Sequence, residues 1–149
     1  MSTVHVIVGA LVLATSLAAG IWGAWSWSRH THQPGFWTLL RISQVVLVIQ
    51  VILGGVLMAA GSQPPRLHLL YGLLPLGVSF VAEQLRLVSA DQVLVRRDLE
   101  SAREMEKLPE AEQHDIVMEI VRRETGVMAA SAIVVFLCSL RASGLAGVL

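Results

Sequence analysis

Four apolar runs constrain this chain more than anything else in it: residues 4–25, 39–60, 67–88 and 127–141 are dominated by Val, Leu, Ile, Ala and Gly. A helix needs about 20 such residues to cross a hydrocarbon core of about 30 Å. In hydrocarbon the backbone has no water to bond. A crossing segment is therefore a helix, which closes its hydrogen bonds internally, or a strand of a closed barrel. Barrel strands alternate apolar and polar side chains, and these runs do not. The sequence thus predicts an all-α integral membrane four-helix bundle, a single membrane domain over residues 1–149. The first run lacks a basic n-region and is long enough to span, so it reads as a retained helix rather than a signal peptide. The fourth run is the shortest and gains length if its helix starts earlier in the chain.

Composition agrees. Of 149 residues, 54% are apolar and 15% charged, whereas soluble domains average about 45–50% and about 25%. Net charge is zero, which gives no footprint for nucleic acid. Of the 22 Lys, Arg, Asp and Glu residues, 16 lie between Asp91 and Glu124, so residues 90–124 read as a charged hairpin in water. No Gly or Pro interrupts Ala90 to Lys107, and Pro109 suits a first helical position, with Glu110 and Glu112 in the first turn. Ile116, Val117, Ile120 and Val121 form an apolar stripe on the second arm. These features predict that helices three and four continue past the bilayer as an antiparallel pair joined near Leu108. The pair is either a solvated extension or a docking surface for a cytoplasmic or membrane partner.

Trp25, Trp27, Phe36 and Trp37 cluster around the first connection, as aromatic residues do at a membrane–water interface. Basic residues fall mostly on that side: Arg29, Arg41, Arg86, Arg96, Arg97, Arg103, Lys107, Arg122 and Arg123, against Arg66 and Arg141 opposite. The positive-inside rule then places the hairpin in the cytoplasm and both termini outside, in a multi-pass protein of the cell membrane.

Two of the five histidines open helices at the outer side: His5 begins helix one and His68 begins helix three. His5, Gly9, Ser16, Gly20 and Gly23 share one stripe, and His68, Gly72, Pro75, Ser79 and Ala82 another, so each histidine has a glycine one turn inward. Two imidazoles on facing helices are the ligand set of a six-coordinate b-type heme, with the glycines leaving room for the porphyrin. Small residues also let membrane helices approach closely, and a terminal histidine also suits the headgroup region. Both readings fit these residues.

The segment QVILGGVLMAAGSQPPRLHLLYG, residues 50–72, resembles the Gln-x-x-Leu-Gly helix end, short outer loop and histidine-led helix of the heme A synthase family. Residues 4–25 resemble the helix that supplies the partner ligand there. That family is built from two four-helix repeats, so the resemblance is to one half of it and covers about half of this chain. It implies a heme held between His5 and His68. The chain departs from the family in having a single cysteine, no acidic residue in the outer loop and one repeat. The resemblance therefore implies heme holding rather than heme A synthesis by this chain alone. A homodimer would rebuild the eight-helix outline. Arg66, two residues before His68, is then a propionate partner; otherwise it is a solvated interfacial arginine.

Glu83 and Arg86 near the end of helix three, and Arg41 at the start of helix two, are intramembrane charges expected to pair. An Arg41–Glu83 contact either locks helices or lines a proton or quinone site. Gln44 and Gln50 fall on different faces of helix two, each able to bond a neighbouring helix. His30 and His32 read as interfacial, His114 as solvated, and Cys138 as a buried apolar residue. No nucleotide-binding loop, nucleophile elbow or zinc-protease motif occurs, so no catalytic residue is assigned and no independent catalysis is expected.

Two functional expectations follow. One is a small membrane cytochrome-like subunit with one heme b, ligated by His5 and His68 and serving electron transfer or heme handling in a respiratory membrane. The other is a cofactor-free accessory or assembly subunit of a larger membrane complex. A small transporter ranks behind both, because so few polar residues make a poor ion path.

Overall fold

The computed structural model describes residues 2–29, 31, 33–99 and 102–144. His30 and His32 therefore lie outside the described residues. The elements are α1 (Ser2–Arg29), α2 (Pro34–Ala59), α3 (Arg66–Arg96), a short α4 (Ala102–Met105) and α5 (Glu110–Ala142), and no strand occurs among the described residues. Four of these helices are long and apolar enough to cross a membrane. At 1.5 Å per residue, α3 and α5 extend about 46 and 50 Å, more than the about 30 Å of a hydrocarbon core. Their excess length lies at the charged end, outside the apolar runs.

Helix ends follow local chemistry. At the end of α2, Gly61 takes a left-handed φ of 96°. Its N–H donates to the Met58 carbonyl, and the Ser62 N–H reaches back to Leu57. This is a Schellman closure, which Gly permits because it lacks a Cβ. Pro64 and Pro65 then prevent continuation, and α3 starts on Pro65 as its N-cap. The end of α3 repeats the closure with Asp98 at φ 56°: Asp98 N–H donates to Val95 and Leu99 N–H to Leu94. The helix expected to run unbroken toward Lys107 thus stops at Arg96, and α4 intervenes before Pro109 caps α5. Absence of Gly and Pro did not guarantee continuity, because Asp tolerates the left-handed conformation that a helix C-terminus uses.

Around the bundle, α1 packs on α2 and on α5, α5 packs on α3, and α2 touches α3 only sparingly. First and third helices therefore stand at opposite corners. Phe36, Leu40, Ser43 and Leu47 are the buried face of α2, while Thr125, Met128, Ala129, Ala132 and Val135 supply that of α5. Close approach of α1 depends on its small residues. A Cβ at Gly20 would lie 2.7 Å from the Ile133 side chain, and one at Gly23 would lie 2.5 Å from Phe36 and 2.7 Å from Ala129. Ser16 and Ala19, just before them on the same helix, are fully buried. These glycines are used for helix packing, not for cofactor space.

Beyond the apolar runs, α3 and α5 are joined by charge. Glu119 accepts from Arg96, lies 3.0 Å from Arg97 and 3.9 Å from Arg123. The Arg97 hydrogen bond, backed by the charges of Arg96 and Arg123 and opposed by partial burial, holds the Glu119 carboxyl below the ordinary glutamate range. A folded-state pKa below the unfolded one adds stability above the unfolded value and loses it as pH falls through the folded value. Acidification below the usual glutamate range should therefore speed proteolysis in residues 97–109, measured with an acid-active protease. Glu119→Gln should already be cleaved faster at neutral pH and change less with acid.

Gly23→Val should lower the stability of the detergent-solubilised protein by about 1–3 kcal/mol through overpacking, read as loss of helical signal on heating. Gly55→Ala, where a Cβ would meet nothing within 4 Å, should leave it unchanged.

Candidate functional site

The two histidines meet across the diagonal of the bundle. Ring centroids of His5 and His68 are 6.1 Å apart with the planes inclined at 54°. Each ring has one nitrogen engaged. His68 Nδ1 lies 2.9 Å from the Ala142 carbonyl oxygen, which can only accept, so Nδ1 carries the proton and Nε2 is left with its lone pair. His5 Nε2 lies 3.2 Å from Gln50 Nε2. His5 Nδ1 and Gln50 Oε1 are both buried without a hydrogen-bond partner. If the Gln50 amide is turned over, its oxygen accepts from His5 Nε2–H and Nδ1 becomes the free lone pair. Either orientation leaves His5 Nδ1 unsatisfied, at a cost of about 1–3 kcal/mol for a buried polar group. All four long helices thus contribute: His5 from α1, Gln50 from α2, His68 from α3 and the Ala142 carbonyl from α5.

Neighbouring small residues divide into two kinds. Gly9 faces Gln50, whose Nε2 would stand 3.0 Å from an added Cβ, and Gly54 faces the edge of the His5 ring at 3.4 Å. Gly72 and Gly55 have nothing within 4 Å. The space expected inward of His5 at Gly9 is therefore taken by the Gln50 amide, whereas that beside Gly72 is open. Arg66 is exposed at the first turn of α3. Arg141, on the same end, stacks 5.9 Å from the Tyr71 ring.

The donor set suits a metal bound between two rings. Two imidazoles bonding one ion from opposite sides at about 2 Å each place their centres about 6 Å apart, close to the spacing here. Each ring keeps one nitrogen in a fixed hydrogen bond and one unpartnered, the usual division of an imidazole ligand. Among the described residues no cluster of three or more His, Cys, Asp or Glu forms, so a centre here has only two protein ligands. A macrocycle supplying the remaining ligands requires the Gln50 amide to turn away from Gly9. His114 is exposed on α5, and Cys138 is a free, partly buried thiol.

Gln50 escaped assignment to the site at the level of sequence, yet its position was readable. Phe36, Leu40, Ser43, Leu47 and Gln50 repeat at intervals of three and four, which carries the buried face of α2 onto the glutamine. The Ala142 carbonyl had no such signal, because a backbone acceptor at a helix end belongs to every sequence.

At the hairpin end, the expected ion pair forms. Arg41 Nη1 lies 2.5 Å and Nη2 3.4 Å from the two carboxylate oxygens of Glu83, and Gln44 Nε2 donates to Glu83 at 2.9 Å. Arg86 approaches the second oxygen at 3.7 Å and covers the Trp37 ring at 5.4 Å. This clasp closes the α2–α3 edge, where the helices otherwise touch least. The two glutamines of α2 indeed serve opposite neighbours, Gln44 reaching α3 and Gln50 reaching α1.

Comparison with protein-family models, with curated proteins and with solved structures finds no match to this chain. Its function rests on the geometry above.

Glu83→Gln should destabilise the solubilised protein by about 1–3 kcal/mol, since it leaves two arginines facing a neutral amide. Arg41→Gln combined with Glu83→Gln should cost less than the sum of the single changes, a coupling measurable by a double-mutant cycle of thermal unfolding.

Proposed function

We propose that this chain is a small multi-pass membrane subunit of cytochrome type, holding one b-type heme between His5 and His68. The observation that carries the reading is the meeting of the two rings across the bundle diagonal at 6.1 Å, with one unpartnered nitrogen on each. In that role His68 is oriented by its Nδ1–H bond to Ala142, which leaves Nε2 as the basic atom and raises its donor strength. His5 is steadied by Gln50, and Gly72 leaves space beside the His68 turn. Arg66 supplies a cation at the mouth for a propionate carboxylate. A bound heme would supply a one-electron centre, held by His5 and His68, whose potential would depend on those imidazoles and on burial. The resemblance of residues 4–25 and 50–72 to one half of the heme A synthase family supports the same assignment. In this reading both termini face outside and the charged hairpin the cytoplasm, and a homodimer or a larger respiratory complex is the physiological setting.

One observation favours a different reading. Gln50 fills the Gly9 side and bonds His5, so His5, Gln50, His68 and Ala142 also serve as a polar clasp in a cofactor-free accessory subunit. Colour separates the two. Protein purified in mild detergent from heme-replete cells should show a Soret band that shifts on reduction. His5→Ala and His68→Ala should each abolish the six-coordinate spectrum, and Arg66→Gln should lower heme content without changing the band positions. Colourless protein of full helical content would overturn the cytochrome reading in favour of the accessory one.

A further inference from the structure

The end of the bundle that carries the hairpin holds a cavity of ≈ 240 Å³ between the last turn of α1 and the middle of α5, lined by Ser26, Trp27, Thr31, Met118, Arg122 and Thr125. Its chemistry is divided. Trp27, Met118 and Val121 make an apolar wall, and three hydroxyls lie beside it, with Thr125 itself buried. Arg122 places its guanidinium 5.9 Å from the Trp27 ring centre. Among the described residues it makes no ion pair. Glu119 also lines the cavity, yet its carboxylate is already engaged by Arg96, Arg97 and Arg123. Glu119 is thus held by three arginines from outside the cavity lining, which leaves Arg122 as the charge on the wall without an ion-pair partner among the described residues. The site lies where α1 ends, next to the aromatic cluster that marks an interface.

We propose that this cavity binds the phosphate of an anionic lipid headgroup, with Arg122 pairing the phosphate and the Thr31 and Thr125 hydroxyls donating to it. Trp27 and Met118 then cover the apolar start of the tails. A free phosphate ion shares the anionic chemistry but makes no use of the apolar wall. The proposal rests on the membrane reading of the four helices and is independent of heme. Membrane residence is checked separately, by whether alkaline carbonate releases the chain from membranes, so its failure is distinguishable from failure at this site.

The test is native mass spectrometry of the full chain, delipidated in mild detergent and offered phosphatidylglycerol, phosphatidylcholine or inorganic phosphate. Phosphatidylglycerol should be retained in preference to phosphatidylcholine, and inorganic phosphate should not displace it. Arg122→Gln should weaken retention about tenfold, the change expected for one lost charge-assisted hydrogen bond. Thr125→Val, nearly isosteric and suited to the buried position, should weaken it as well, so the proposal stays testable if the arginine variant fails to fold. Arg141→Gln at the opposite end should have no effect. Equal retention of both lipids, undiminished binding by Arg122→Gln and Thr125→Val, equal weakening by Arg141→Gln, or displacement by inorganic phosphate would each overturn the lipid site.

Discussion

A peptide group out of reach of water must find its hydrogen-bond partner in its own chain, and four helices long and apolar enough to cross a membrane meet that constraint. It commits the apolar runs to helices and sends the irregular backbone to the ends. There the Gly61 and Asp98 closures satisfy the last carbonyls of α2 and α3 locally. Helices apolar enough to cross a membrane gain little by burying a leucine against one another when lipid tails serve it as well. Cohesion has to come from close fit and from polar contacts.

Close fit is concentrated on α1. Gly20 and Gly23 let Ile133, Ala129 and Phe36 approach to distances that a Cβ would forbid, and α1 becomes the strip against which α2 and α5 both pack. Because α1 is occupied on those two sides, α3 docks on α5 and ends diagonally opposite. That placement directs the first turns of α1 and α3 toward each other across the bundle, where His5 and His68 meet. The histidine pair is thus a consequence of small residues some four turns away.

Polar contacts then bind the edge that packing leaves weak. Helices α2 and α3 touch little along their length, and the Arg41–Glu83–Gln44 clasp bridges them at one end. At the other end Gln50 and His68 belong to one four-helix cluster. The hairpin adds a third clasp, in which a single glutamate gathers Arg96 at the end of α3, Arg97 just past it and Arg123 of α5. Each clasp lies at or near an end of the bundle, where water access lowers the desolvation that an ion pair must offset.

Much of this was legible in advance. The length and composition of the four runs, the crowding of charge into residues 90–124, the pairing of Arg41 with Glu83 and the separate faces of Gln44 and Gln50 all follow from helical periodicity and from the cost of unpaired charge in hydrocarbon. The break at Asp98 was not legible, because propensity along Ala90 to Lys107 favours a helix and only the closing geometry reveals the left-handed residue. Nor was the division among the glycines: Gly20, Gly23 and Gly9 read alike in one stripe, yet two hold helices together and the third holds the Gln50 amide. Local sequence alone determined that this chain forms four long apolar helices with a charged extension, since hydrogen-bond closure and side-chain period are properties of a single segment. Which helices become neighbours, which stand on the diagonal, and therefore which imidazoles share a space were decided only in the tertiary structure, because those outcomes depend on how closely surfaces from distant segments fit.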